Sequence, residues 1–165
     1  MTSPGVRHQL RTEGETEALA ARLARACPGG EELAVVFLSG ELGAGKTTFV
    51  RGYLKSLGVT GAVRSPTYTL VELYPLGKTT IVHADLYRVR DARELEALGL
   101  REWAKPGHLW FVEWPERGAG HLPRPDLQLA FSAAPAAHAI ELRAGSALGE
   151  LWLSNLAGDP DGRAP

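Results

Sequence analysis

The chain has 165 residues, of which 44% are hydrophobic and 22% charged, enough for one domain with a core and too few for two generous ones. A net charge of −1 excludes a global basic field that would recruit nucleic acid. The single cysteine, Cys27, excludes an intrachain disulfide and fits a reducing cytoplasm. Residues 1–16 contain no apolar signal core, and no later apolar run is long enough for a bilayer, so neither export nor a membrane partner is expected.

In chain order, "GETEALAARLARAC" (14–27) spaces Ala18, Leu19, Leu23 and Ala26 at helical intervals and predicts a helix starting near Glu15 or Thr16. The continuously apolar "LAVVFLSG" (33–40) predicts a strand buried on both faces. "KTTFVRGYLKSL" (46–57) predicts a helix closed by Gly58, and Pro66 keeps the following segment in a loop. "TYTLVELY" (67–74) and "TTIVHAD" (79–85) read as a hairpin about "PLGK". "DARELEALGL" (91–100) reads as a helix and "HLWFVEW" (108–114) as a further buried strand. "LQLAFS" and "HAIELRA" make two last strands, "SALGELWLSNL" a final helix, and 157–165 a disordered tail. The expectation is one α/β domain over 1–156, with a central, mostly parallel sheet, antiparallel edge strands and flanking helices.

Between the first strand and its helix lies "GELGAGKTTF". Gly40, Gly45, Lys46 and Thr47 satisfy G-x-x-x-x-G-K-[ST], with Gly43, Ala44 and Thr48 completing the loop. The glycines let successive backbone N–H groups turn onto a phosphate at the positive end of the helix. Lys46 would reach the β- and γ-oxygens, and the Thr47 hydroxyl would ligate Mg2+. Magnesium also needs a carboxylate at the end of a neighbouring buried strand. Two acids qualify, Glu113 after "HLWFV" and Asp85 after "TTIVHA". Glu113 has the cleaner approach, while Asp85 stands near Arg88 in sequence and could instead form a structural salt bridge. In switch proteins the interval between the P-loop helix and the next strand holds a γ-phosphate sensor. Thr67 in "RSPTYTL" would serve, or would simply turn the chain into its strand.

Asn155 is the one asparagine and is followed by Leu-Ala-Gly, so the Asn-Lys-x-Asp element that reads guanine is absent and ATP and ADP are favoured over GTP and GDP. A small-molecule P-loop kinase is the alternative: Arg88, Arg90 and Arg93 could form a lid, or one solvated helix face. The histidines at 8, 83, 108, 121 and 138 have no metal-ligand spacing. Trp114 follows Glu113 at the expected mouth of the site, where it could pack on a nucleotide or a partner.

"GELGAGKTTF", "SPTYTLVE", "HADLYR" and "VEWPE", in this order and spacing, resemble the TsaE family over roughly residues 12–156. The resemblance implies a small P-loop fold and a magnesium-dependent ATPase of tRNA threonylcarbamoyladenosine synthesis. It implies partnership with the TsaB–TsaD complex, and with tRNA indirectly through that complex. It places Thr47 and Glu113 on the metal, Lys46 on phosphate, Asp85 on metal or water, and Thr67 in the switch-like loop. The adenine side would fall to residues 10–16, ending at Thr16.

Overall fold

The computed structural model describes residues 4–66 and 68–159. Seven strands form one sheet: β1 (Val6–Leu10), β2 (Ala34–Ser39), β3 (Val71–Leu76), β4 (Thr79–Asp85), β5 (Leu109–Glu113), β6 (Leu127–Ala133) and β7 (His138–Ala144), in the order β1-β7-β6-β2-β5-β4-β3. The helices are α1 (Glu13–Ala26), α2 (Lys46–Ser56), α3 (Glu94–Ala97) and α4 (Ala147–Ala157). The ladders β6–β2, β2–β5 and β5–β4 are parallel, whereas β1–β7, β7–β6 and β4–β3 are antiparallel. The α/β architecture expected from the sequence is present.

Successive residues of a strand point to opposite faces, so the central strands supply two cores. Val36, Leu38, Phe111 and Leu129 pack with Leu23 of α1, Tyr53 of α2 and Trp152 of α4 on one face. Val35, Val82, Trp110 and Val112 pack on the other, under Leu95 and Leu100. No helix among the described residues is long and apolar enough to cross a membrane.

Several local expectations shift. β1 falls in a stretch given no strand, because only Leu10 of its five residues is buried and the strand exists by pairing with β7. α1 starts earlier than expected because Thr12 caps it, accepting from the Glu15 N–H at 3.1 Å. Its buried stripe is Thr16, Leu19, Ala20, Leu23 and Ala26, while Ala18 is exposed. Pro75 lies within β3, which is an edge strand and can spare an N–H, so the hairpin turns at Gly77, whose φ is 63°. The helix expected at 91–100 shrinks to α3, since Gly99 takes a φ of 66° and a 3-10 turn over Leu100–Trp103 follows. α4 ends at Ala157, and Arg22 donates to the Asp159 carbonyl at 2.9 Å. Residues 160–165 and Thr67 lie outside the described residues.

Candidate functional site at the carboxyl ends of the parallel strands

The P-loop leaves β2 and enters α2 through Gly40, Gly43 and Gly45, with φ of 137°, 77° and 106°. These are conformations that glycine adopts without a Cβ clash. Gly40 is constrained twice, because a Cβ there would stand 2.4 Å from the Phe131 carbonyl oxygen. Gly45 caps α2 without a side-chain hydrogen bond, which leaves the helix's first turn to face the cleft with its partial positive charge.

Parallel pairing brings the two acids together. Asp85 and Glu113 are register partners on β4 and β5, and Glu113 is also opposite Leu38, just before the P-loop. Both are buried, at 4% and 3% exposure. Thr47, at the start of α2, places its hydroxyl 3.3 and 3.4 Å from the two Glu113 oxygens. Asp85 accepts from the Ser65 hydroxyl and, at 3.0 Å, from the Tyr87 N–H. Arg88, considered as a salt-bridge partner for Asp85, lies over the Tyr68 ring, 4.5 Å from its centroid.

Lys46 is buried, donates to the carbonyls of Gly40 and Glu41 (2.9 Å for Glu41), and stands 4.6 Å over the Trp114 ring. Burial lowers its pKa, opposed by the charges of Glu113, Asp85 and Glu116. Trp114 holds this position through a left-handed backbone, φ 57°, and a ring contact with Tyr87 at 5.0 Å.

These residues surround a cleft of about 570 Å³. One wall is Gly43, Gly45, Lys46, Thr47 and Thr48; another is Asp85, Tyr87, Glu113 and Trp114. Residues 10–13 and Thr16 make a further wall, in the segment to which the family resemblance gives the adenine side. Gly40 and Ala44 do not line it: Gly40 backs onto Phe131, and the Ala44 carbonyl accepts from His138 Nδ1 at 3.1 Å. Nor do Arg88, Arg90 and Arg93, the residues considered for a lid; Arg93 binds the Asp91 carboxylate at 2.6 Å.

Beyond the residues expected from the sequence, His83, His138, Ser65 and Tyr87 also stand at the site. His83 had a legible signal, since it precedes Asp85 by two and so shares its face of the strand. His138 had none, because β7 lies far from the P-loop in sequence.

The donors at this end are a hydroxyl and two carboxylates, hard oxygens of the kind magnesium takes. The glycine-built turn at the head of α2 has the form that a phosphate requires. The residues present therefore fit a magnesium nucleotide.

Comparison with known proteins identifies a family. The family model "Threonylcarbamoyl adenosine biosynthesis protein TsaE" matches residues 10–140. The tRNA threonylcarbamoyladenosine biosynthesis protein TsaE of Haemophilus influenzae is 44% identical over 75% of this chain and 78% of its own length. That of Bacillus subtilis is 40% identical over 70% of each chain. The crystal structure of YdiB from Bacillus subtilis superposes with a TM-score of 0.79 at 28% identity, covering 98% of this chain and 99% of that one.

Proposed function

The chain belongs to the TsaE family of threonylcarbamoyladenosine biosynthesis, and from that premise we propose that it is an ATP hydrolase whose turnover supports the TsaB–TsaD complex. The observation that carries this reading is the convergence of Lys46, Thr47, Asp85 and Glu113 on one cleft, at the strand ends where open α/β sheets bind ligands. The P-loop amides and the head of α2 hold the phosphates, and Lys46 exchanges its bonds to the Gly40 and Glu41 carbonyls for phosphate oxygens.

Thr47 and Glu113 would hold magnesium, with Asp85 beside them on the metal or on the attacking water. The ion, when bound, neutralises charge on the transferring phosphoryl group. Asp85 is tied through Ser65 to the 64–70 loop, in which Thr67 is the proposed γ-phosphate sensor. Residues 10–16 take the adenine side, packing Leu10 and the head of α1 against the base.

Among the described residues, the segment tied to Asp85 through Ser65 is short and offers little material to close over the γ-phosphate. We therefore assign the chain weak hydrolysis alone and stronger hydrolysis with TsaB–TsaD, whose surface would order the loop and exclude water. The test measures phosphate release and tRNA modification together, with and without TsaB–TsaD. Partner-stimulated release and modification that stops after few turnovers with Lys46→Ala are expected. Sustained modification by Lys46→Ala would overturn the coupling, and γ-phosphate transfer to a metabolite would replace it with a kinase.

A further inference from the structure

The shortest hydrogen bond to Glu113 among the described residues comes from His83. His83 lies inside β4 with 0% exposure. Its side chain shares the α2 face of the sheet with Asp85, and the β4–β5 register sets Glu113 beside that pair. His83 Nε2 lies 2.6 Å from Glu113 Oε2, against 3.3 and 3.4 Å for the Thr47 hydroxyl. An ionised carboxylate only accepts, so the bond to it is made by the tautomer with its proton on Nε2. A contact of 2.6 Å is a short, charge-assisted bond, whereas the Thr47 contacts are long for a hydroxyl donor. The imidazole, more than the threonine, sets where this carboxylate sits.

Packing does not explain the residue. Its other nitrogen, Nδ1, is buried with no hydrogen-bond partner among the described residues. An apolar ring would fill the same space with no unsatisfied atom. What the imidazole supplies and an apolar ring does not is the bond to Glu113.

We infer that His83 is the positioning residue of the site, donating from Nε2 to hold the Glu113 carboxylate against Thr47, preset for the divalent cation. This rests on the reading that Glu113 and Thr47 bind magnesium. Carboxylates that ligate metals are themselves held by hydrogen bonds, and loss of such a partner lowers metal affinity.

The experiment titrates ADP calorimetrically, with EDTA and with magnesium, into the full-length protein and its variants. The readout is the gain in ADP affinity that magnesium supplies. In His83→Phe, metal-free affinity should be unchanged and the gain should fall roughly ten- to a hundred-fold. His83→Gln, which offers an amide N–H near the place of Nε2, should recover most of it. Glu113→Ala should lose the gain, and adding His83→Phe to it should make nothing worse, because the two act as one unit. Should the phenylalanine variant fail to fold, His83→Asn, too short to reach Oε2, carries the same expectations. A full magnesium gain in the donor-less variant would overturn the inference while leaving the metal reading intact. Absence of any gain in the wild type would overturn both.

Discussion

The two ends of the parallel strands carry opposite chemistry. At the carboxyl ends, Lys46, Asp85 and Glu113 are buried together around the P-loop, with His83 behind them. At the amino ends lies a second cleft of about 360 Å³, lined by Ala24, Tyr53, Ile81, Leu109 and Trp152, where no charged side chain is buried. The ionisable groups behave accordingly. Burial pushes the Tyr53 phenol well above its usual range, with Cys27 adding to the shift, so it stays neutral. Burial pulls Lys46 down, but three carboxylates oppose that shift and support its charge. Buried charge is expensive to hold, and the fold concentrates it where a phosphate would meet it. One end of the sheet buries packing side chains, the other buries charge around an open cleft.

Substitutions at the two ends should therefore separate stability from binding. The largest effect is expected at the packing end. Trp152 is fully buried and donates to the Leu23 carbonyl at 2.8 Å. Trp152→Ala should destabilise the fold by about 3–5 kcal/mol in urea unfolding, while the fraction still folded binds ADP normally. A change in the affinity of that folded fraction would show that the two ends are coupled.

At the ligand end, Lys46→Ala should lower ATP affinity by about 1.5–3 kcal/mol, roughly ten- to a hundred-fold, while the chain keeps a cooperative melt. Unchanged affinity in calorimetric titration would remove Lys46 from the phosphate site. A lost melt would mean that its bonds to the P-loop carbonyls hold the fold rather than await a ligand.

The smallest effect is expected where the ends are hardest to tell apart. Thr12 caps α1 and also lines the cleft. Thr12→Ala should remove about 1 kcal/mol of stability through the lost cap. If residues 10–16 form the adenine wall, nucleotide affinity should fall slightly as well. Thermal melts and ADP titration of the same variant check both, and a change in stability alone would return this wall to the fold.

What could be read in the chain was what lies together along it. The strand at β2, the glycine turn and the helix at α2 are consecutive, so one motif and its flanks were enough to expect the strand–turn–helix unit. Asp85 and Glu113 were legible because each closes an apolar run, and a buried strand that ends in an acid aims it at the ligand edge. The resemblance to TsaE rested on four such local motifs and agrees with the family match.

Tertiary structure decided whatever depends on register between distant segments. β1 has one buried residue and no apolar alternation to announce it, and it forms because β7 offers an edge. Arg88 is three residues from Asp85 in sequence, yet Asp85 takes the Ser65 hydroxyl while Arg88 turns to Tyr68. Two histidines have partners that their spacing could not announce: His138 crosses to Ala44, and His83 to Glu113 on the adjacent strand. Spacing along a chain reports periodicity within one element. A contact between elements is set by how strands align, and that alignment is fixed only when the whole sheet buries its two faces.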